Sequence, residues 1–344
     1  MVAFVMRKIA RYFIILSFWL SLTACQKHDS VEYYHFSGTT MGTEYNIKFA
    51  SVPEVTELKL VKDEIATLLN HLNHIFSTYD EASELMLLNA HPINQPYPIS
   101  HELYTVLDTS LDISQATGGK FDVTVGPLIE SWGFGASKHN AEVPPQEIIE
   151  QGLAQIGYQG IELKSNFYIV KSKPVVIDLS AIAKGYAVDQ VANYLTNLGI
   201  EHYMVEIGGE VGTKGLNPKG VGWRIGIEKP NSGLQREALQ AVDLSNHGAA
   251  TSGDYRNYYE VDGKRYSHTI DPTTGYPITH NLASVTVLHK QVMLADAYAT
   301  AFMVMGADEA LRFAEANNLA IFVVTNENGT FTTRYSSAFK PFLL

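Results

Sequence analysis

The segment from about Gln291 to Met305 is apolar on almost every side, a pattern that predicts a helix buried all round. Its polar exceptions, Asp296 and Thr300, are four residues apart and therefore project from one face of the helix. A carboxylate and a hydroxyl so placed suit a hard cation such as Mg²⁺, which binds few protein groups. Two other interpretations stay open: Asp296 as an N-cap or first-turn acid, and Thr300 bonded back to the carbonyl of residue 296.

The residues before this helix predict an ordered loop that holds His268 in place. A hairpin strand ends at His268, the turn Asp271–Gly275 follows, and a second strand covers Ser284–His289. The proline in the turn fixes its own φ and disfavours helix at the preceding residue, while the glycine can take the positive φ that closes the turn. The alternative is that His268 is an ordinary strand-end histidine.

Composition limits the possible site chemistry. With 344 residues, 46% of them apolar, the chain can bury a sizeable core as one large domain or two ordinary ones. Cys25 is the only cysteine. A disulfide within the chain, a thiolate zinc site and a cysteine nucleophile are therefore excluded.

The N-terminus has the features of a targeting segment. Three basic residues precede the apolar run Tyr12–Leu22, which is too short to span a bilayer, and Leu22-Thr23-Ala24-Cys25 looks like a bacterial lipobox. By that resemblance Cys25 is lipidated and becomes the mature N-terminus. The predicted organisation is a lipoprotein signal peptide (1–24), a tether (25–30) and one domain (31–344).

Net charge argues against a nucleic-acid partner. Residues 1–24 hold three of the 25 basic residues and no acidic one, so 22 basic residues face 36 acidic ones in the remainder, a net charge of −14. Nucleic-acid binding depends on basic patches that neutralise phosphates. We therefore predict no nucleic acid among the partners.

Lys120, Phe121 and Asp122 follow a double glycine and form a candidate ligand site. A basic, an aromatic and an acidic residue in succession can offer stacking and polar contacts to a flat heterocycle. The alternative is that Phe121 belongs to the core while Lys120 and Asp122 are solvated.

Two segments of small and hydroxyl residues are further candidates. Ser37–Gly42, between predicted strands Tyr33–Phe36 and Thr43–Ala50, suggests a close backbone approach to a ligand with Met41 packed over it. The alternative there is an ordinary bulge or wide turn. Ala250–Asp254 predicts a loop that binds phosphate through backbone N–H groups.

Asp178 and Lys184 flank a predicted helix N-terminus. Asp178 ends the predicted strand Val175–Leu179, just before a small-residue turn and the helix Tyr186–Leu198, where free backbone groups meet ligands. Lys184 in the first turn opposes the helix dipole, which a phosphate partner would explain. Alternatively, Asp178 only caps the turn.

The order of elements predicts the fold class. Runs of antiparallel strands are mixed with helices, and a regular alternation of strand and crossover helix is not visible. This pattern indicates an α+β fold of mixed, largely antiparallel sheets with packed helices.

Seven short motifs resemble those of one known family. They occur in the order Thr40-Met41-Gly42-Thr43, Phe76-Ser77-Thr78-Tyr79, Gly119 to Pro127, Asp178 to Tyr186, Glu206-Ile207-Gly208-Gly209, Ser267 to Pro272, and Asp296 to Thr300. In this order they resemble the ApbE family of FAD:protein FMN transferases. The resemblance covers nearly all of the chain that follows the predicted signal peptide.

The resemblance implies a reaction and a place. Family members are bacterial periplasmic lipoproteins that split FAD at its pyrophosphate with Mg²⁺, attach FMN through a phosphoester to a Thr or Ser of a membrane redox protein, and release AMP. It implies acceptor subunits of Nqr/Rnf-like complexes as partners. It also implies a lipid-anchored location on the periplasmic face of the inner membrane, with the outer membrane as the alternative because Gln26 is not the Asp that typically signals inner-membrane retention.

The resemblance also implies roles for individual residues. His268 would be the catalytic base. The Mg²⁺ ligands would be Asp296, Thr300 and the backbone oxygen of Ala181. The FAD contacts would be Met41, Tyr79, Lys120, Phe121, Asp122, Asp178 and Lys184.

These roles agree with the chemistry of phosphoryl transfer, which needs positioning, charge neutralisation and a group that titrates near neutral pH. Two rival functions use the same residues. One is a Mg²⁺-dependent FAD pyrophosphatase with water as the acceptor. The other is a periplasmic flavin-binding lipoprotein without turnover.

Overall fold

A computed structural model of the chain describes residues 32–51, 57–135, 142–230, 237–254, 258–261 and 264–344. The predicted signal peptide, the lipidation site Cys25 and the tether 25–30 lie outside the described residues. Contacts between Cα atoms group Tyr33–Leu344 into one compact unit. Within the described ranges, every helix is too short or too polar to cross a membrane.

The α-helices alternate irregularly with strands along the chain. Their bounds are α1 Leu58–Phe76, α2 Glu84–Ala90, α3 His101–Ala116, α4 Gly126–Ser131, α5 Gln146–Gln155, α6 Ala183–Asn197, α7 Val292–Met305 and α8 Ala307–Ala316. Short 3-10 helices cover Tyr158–Gly160 and Ser337–Phe342.

The strands form one large sheet and three small ones. Their bounds are β1 Tyr33–Thr40, β2 Thr43–Ala50, β3 Tyr97–Pro98, β4 Ile161–Lys164, β5 Tyr168–Lys171, β6 Tyr203–Ile207, β7 Glu210–Lys214, β8 Arg224–Glu228, β9 Ala238–Asp243, β10 Gly248–Gly253, β11 Tyr258–Val261, β12 Lys264–Ser267, β13 Leu282–His289, β14 Ala320–Glu327 and β15 Thr330–Tyr335. The large sheet has the order β1-β2-β6-β7-β10-β13-β14-β15, and the small ones are β3-β5-β4, β8-β9 and β11-β12.

The central strands of the large sheet are buried on both faces, because alternate residues of a strand point to opposite faces and each face meets its own layer. On one face, Ile47 of β2 and Val205 of β6 share a core cluster with residues of α6 and α7. On the other face, Val211 of β7 packs with Val242 of β9 and with Phe339 near the C-terminus. The sheet thereby fixes the helices α6 and α7 that carry much of the candidate site.

The predicted α+β class is confirmed, since helices pack on sheets whose described strand pairs are all antiparallel. Two local predictions are wrong. The phosphate-binding loop predicted at Ala250–Asp254 is mostly strand β10, and Ala250 to Gly253 are in register with β13. The strand predicted at Val175–Leu179 is an unpaired segment, where Ile177 donates its N–H to the Asn89 side chain at 2.8 Å.

Candidate active site

A cavity of about 330 Å³ brings together residues from distant parts of the sequence. It lies where the N-terminus of α6, the helix α7, the residue after β12 and the chain before α4 meet. Nine of the predicted site residues line it: Lys120, Phe121, Asp122, Asp178, Ala181, Lys184, His268, Asp296 and Thr300.

Asp296 is the fifth residue of α7 and is only 4% exposed. The interpretation of Asp296 as an N-cap or first-turn acid is therefore wrong. Its Oδ2 accepts the N–H of Gly185 at 3.0 Å, so the carboxylate joins α7 to α6. The two helices can approach this closely because Gly185 has no side chain: a Cβ there would lie 2.5 Å from the carbonyl oxygen of Val292.

Asp189 of α6 holds the first turn of α7. Its carboxylate accepts the N–H groups of Val292 and Met293, each at 2.9 Å. Burial raises the pKa of Asp189 to about 6, although both hydrogen bonds favour the charged form. A side chain of α6 thus satisfies two of the free N–H groups that begin the helix of Asp296.

The Lys184 ammonium lies between two carboxylates, 3.3 Å from Oε1 of Glu210 and 3.6 Å from Oδ2 of Asp296. Burial alone would lower the pKa of Lys184, but the negative charges of Asp296 and Glu210 outweigh burial and raise it. Two carboxylates therefore already hold the Lys184 ammonium, and the predicted phosphate contact of Lys184 would be an additional one.

Glu210, the first residue of β7, is 5% exposed. Burial and the nearby charge of Asp296 raise the pKa of Glu210, against the effect of Lys184. Its Oε2 is buried and makes no hydrogen bond to the residues that the structure describes. An orphaned carboxylate oxygen of this kind indicates that a further cation or donor belongs near it.

Thr300 lies on the same side of α7 as Asp296 and also lines the cavity. Its Oγ1 is 3.5 Å from the hydroxyl oxygen of Ser252 on β10. Ala181 reaches the cavity just before α6. Gly185 lies in the first turn of α6, where N–H groups have no partner within the helix, and its N–H donates to Asp296. Ala181 precedes the N-cap Ile182, so its carbonyl lies outside the hydrogen-bond ladder of α6.

This donor set fits Mg²⁺. Among the described residues, no three or more His, Cys, Asp or Glu side chains form a metal-binding group, but Mg²⁺ needs only one or two carboxylates with waters and substrate oxygens. Four carboxylates and two lysines line the cavity, an excess of two negative charges. A divalent cation would balance that excess. The carboxylates are those of Asp122, Asp178, Glu210 and Asp296.

His268 is the first residue after β12 and lines the same cavity. The Trp132 indole donates a hydrogen bond to the Gly275 carbonyl at 2.9 Å and stacks on Tyr266 with ring centroids 5.6 Å apart. One buried aromatic residue therefore supports both the strand before His268 and the turn after it.

A buried carboxylate lies close to His268. Asp254 follows β10, and burial raises its pKa against the charges of Arg265, His268 and His280. Arg265 donates to the Asp254 carbonyl oxygen at 2.6 Å and lies 3.5 Å from its Oδ1. Asp254 is thus fixed by Arg265 within electrostatic range of the predicted catalytic base.

The predicted turn Asp271–Gly275 is confirmed. The N–H of Gly275 donates to the carbonyl of Asp271 at 2.8 Å, and Gly275 has a φ of +79°. Lys120 closes on this turn, because its ammonium lies 2.8 Å from Oδ2 of Asp271 and 3.1 Å from the Thr273 hydroxyl. The alternative of a solvated Lys120 is therefore wrong.

Phe121 and Asp122 support the chain between α3 and α4. Phe121 is 2% exposed and belongs to the main core, as its alternative interpretation proposed. Asp122 is buried and not solvated: its carboxylate accepts the N–H and hydroxyl of Thr124 at 2.8 and 2.6 Å and the N–H of Tyr158 at 3.0 Å. Both residues border the cavity while their side chains anchor its wall.

Asp178 combines two contacts. Its N–H donates to the carbonyl of Val123 at 2.7 Å, and its Oδ1 accepts the N–H of Ser180 at 2.8 Å. The alternative that Asp178 caps the turn before α6 is thus confirmed. The half-buried carboxylate also lines the cavity, so the predicted ligand contact stays a prediction.

Two predicted FAD contacts lie outside this cavity. Met41, at a φ of +49° in the β1–β2 hairpin turn, lines a larger cavity of about 1020 Å³. Thr251 borders both cavities. Tyr79 is 83% exposed in the loop after α1. The alternative of a bulge or wide turn at Ser37–Gly42 is wrong, because β1 continues to Thr40 and pairs there with Thr43 of β2. The close approach of this segment to a ligand stays a prediction.

The sequence did not point to Glu210 or Asp189, and it pointed to Asp254 only as the end of a predicted phosphate-binding loop. Glu210 follows two glycines at the start of a strand, a position that marks a turn in the sequence but not a buried carboxylate. Asp189 lies in the middle of a helix whose partner is about 100 residues away. Only the packing of α6, α7 and the sheet shows what these groups contact.

A carboxylate and a hydroxyl suited to a hard cation, beside a lysine and a histidine in one cavity, define a site of the phosphoryl-transfer type. Residues 41–323 match the family model of the ApbE family. The chain belongs to the ApbE family and is a transferase, the class that its curated relatives share.

Relatives cover almost the whole chain. The FAD:protein FMN transferase of Vibrio cholerae serotype O1 is 44% identical over 332 residues, 96% of this chain and 98% of that protein. The FAD:protein FMN transferase of Haemophilus influenzae is 42% identical over 341 residues, 97% of this chain and 98% of that protein. The solved structure of the flavin transferase ApbE from Vibrio cholerae superposes with a TM-score of 0.84 at 44% identity, covering 91% of this chain and 100% of that one.

Proposed function

We propose that this protein transfers FMN from FAD to a threonine or serine hydroxyl of an acceptor protein, depends on Mg²⁺, and releases AMP. The names of its relatives support FAD as the substrate. One structural observation carries the proposal: a single cavity gathers Asp296, Thr300, Ala181, Lys184 and His268.

Asp296, Thr300 and the Ala181 carbonyl would hold the cation. Bound there, Mg²⁺ would neutralise charge on the pyrophosphate oxygens of FAD. Lys184 supplies a second positive charge from the same wall, held by its two carboxylate partners. Positioning and charge neutralisation are the main demands of phosphoryl transfer on a protein.

We assign to His268 the acceptance of the proton of the acceptor hydroxyl, because His268 lines this cavity and histidine is a common general base near neutral pH. The hydroxyl oxygen then bonds to the phosphorus on the FMN side of FAD. The bond from that phosphorus to the bridging oxygen breaks, and AMP leaves with the bridging oxygen. The products are a phosphoester-linked flavoprotein and AMP.

We assign the recognition of FAD to residues of both cavities and to the exposed ring of Tyr79. Lys120, Phe121, Asp122 and Asp178 would contact FAD in the smaller cavity. Met41 and Tyr79 would contact it outside that cavity, where the exposed Tyr79 ring offers a face for stacking on a flat heterocycle.

We further propose where the reaction takes place. Lipidation of Cys25 would anchor the protein to the periplasmic face of the inner membrane, with the outer membrane as the alternative. The acceptors would then be subunits of Nqr/Rnf-like membrane redox complexes. The lipobox-like tetrapeptide and the family resemblance support this location.

The test is the intact mass of an acceptor domain with an exposed threonine, after incubation with the full-length protein, FAD and Mg²⁺. We expect a gain of one FMN residue that is lost with Asp296→Ala or His268→Ala. The matched controls Asp308→Ala and His71→Ala alter exposed side chains and should keep the gain.

The other outcomes separate the rival functions. AMP and free FMN without an acceptor mass gain would indicate hydrolysis of FAD. Bound FAD that stays intact with Mg²⁺, and is unaffected by His268→Ala, would indicate a flavin carrier.

A further inference from the structure

Glu210 is neither a cation ligand nor an FAD contact in the roles proposed above, yet its buried carboxylate lines the same cavity. Its Oε1 lies 3.3 Å from the Lys184 ammonium, and Oδ2 of Asp296 lies 3.6 Å from the same ammonium. One lysine therefore joins a carboxylate of β7 to a carboxylate of α7. Only Asp296 belongs to the group that would hold the cation.

This arrangement creates a competition. The Lys184 ammonium and a divalent cation are both attracted to Asp296, and they repel each other strongly at distances of a few ångströms in a buried site. Without Glu210, Asp296 would be the only carboxylate partner of Lys184, beside the Ser180 carbonyl at 3.5 Å. Lys184 would then either block the cation or be driven away when the cation binds. A second carboxylate removes this conflict.

We propose that Glu210 is a positioning residue that holds the Lys184 ammonium when the divalent cation takes Asp296, so that both positive charges stay beside the pyrophosphate. The inference rests on the proposed function, which supplies the cation and the anionic substrate. It does not require Glu210 to contact either of them.

Two features of Glu210 suit this role. It sits on a strand of the large sheet, whereas Asp296 sits on α7, so the two partners of Lys184 are held by independent elements. Its side chain is only 6% exposed, so water cannot easily replace it as the partner of the ammonium.

The test is a double-mutant cycle on Mg²⁺ affinity, measured by calorimetric titration of the FAD-free full-length protein. We expect Glu210→Gln to weaken Mg²⁺ binding about tenfold, because Lys184 then competes for Asp296. We expect Lys184→Gln to bind Mg²⁺ at least as tightly as the wild type. In the double variant the effect of Glu210→Gln should disappear.

A lysine–glutamate pair outside the cavity provides the control. Lys214 and Glu201 lie 2.9 Å apart, and Glu201 is 65% exposed. Glu201→Gln should leave Mg²⁺ affinity unchanged. If Glu210→Gln fails to fold, Glu210→Asp can replace it, because Asp keeps the negative charge on a side chain one methylene shorter. Glu210→Asp should weaken Mg²⁺ binding less, and this loss should also disappear when Lys184→Gln is added.

Two results would overturn the inference. If Glu210→Gln weakened Mg²⁺ binding equally with and without the Lys184 side chain, Glu210 would act on the cation itself. If Glu210→Gln did not weaken Mg²⁺ binding at all, holding Lys184 would not matter for the cation. Both leave the proposed transferase intact, provided that the wild type binds Mg²⁺. A wild type that binds no Mg²⁺ would remove this inference and the metal part of the proposed function together.

Discussion

The crossing of α6 and α7 and the exposed outer part of the site are built in different ways. At the crossing, Asp296 is buried, Gly185 allows backbone contact, and Asp189 caps the neighbouring helix. In the outer part, Met41 lies in a two-residue hairpin turn and Tyr79 is 83% exposed in a loop.

The difference follows from what each part has to hold. Charged groups act on a reacting phosphate only if their positions are fixed before the substrate arrives, and close packing provides this. A ring that stacks on a flat substrate needs only an accessible face. Substitutions at the crossing should therefore change stability and metal binding together, whereas substitutions in the outer part should change FAD affinity alone.

The largest effect is expected for Gly185→Ala. The added Cβ would lie 2.5 Å from the Val292 carbonyl oxygen and 2.7 Å from the Met293 Cα, so α6 and α7 have to separate. We expect a loss of about 3 kcal/mol in the free energy of unfolding, at the upper end of the range for overpacking, and weaker Mg²⁺ binding. Denaturant unfolding and calorimetric titration would measure the two effects.

Gly220→Ala is the matched control. Gly220 has a φ of +72° but nothing within 4 Å of its added Cβ, so its cost is backbone strain of about 1 kcal/mol. If Gly185→Ala cost no more than this control, the close contact between α6 and α7 would not be what orders the site.

Asp189 should make stability at the crossing depend on pH. Its pKa is about 6 in the folded protein, above the ordinary aspartate value of 3.8, so the folded state binds the proton more tightly than the unfolded state. The contribution of Asp189 is therefore greatest below the unfolded pKa and is lost as pH rises through 6. Relative to Asp189→Asn, the wild type should lose roughly 1 to 3 kcal/mol between pH 4 and pH 7.

Chemical unfolding of both proteins across that pH range checks this prediction. Asp308→Asn, at a largely exposed carboxylate, serves as the control and should track the wild type. A difference between wild type and Asp189→Asn that stays constant with pH would contradict the burial argument.

The two parts also differ in how far sequence could predict them. The helix α7 and the one-sided spacing of Asp296 and Thr300 are local patterns, and the structure begins and ends the helix within one residue of the prediction. The turn Asp271–Gly275 was predictable for the same reason. Both follow from residues that are close together in the chain.

The features that the sequence did not predict depend on contacts between residues that are far apart in the chain. Val175–Leu179 is a short apolar run rich in β-branched residues, as buried strands are. However, Ile177 bonds to the Asn89 side chain and Asp178 to the Val123 carbonyl, and no described strand pairs with the segment. Residues 250–253 look like a loop because they are small, yet they pair with β13. The role of Glu210 likewise follows only from its contact with Lys184.

The smallest effect on stability is expected for Tyr79→Ala. Because the ring is 83% exposed, its loss should change the free energy of unfolding by less than about 0.5 kcal/mol. The KM for FAD should rise roughly 3- to 10-fold, the range that a lost aromatic stacking contact implies, with kcat nearly unchanged. Tyr79→Phe, which keeps the ring, should restore the KM. A large loss of stability in Tyr79→Ala would mean that Tyr79 supports the fold as the residues between α6 and α7 do. The proposed difference between the two parts of the site would then be wrong.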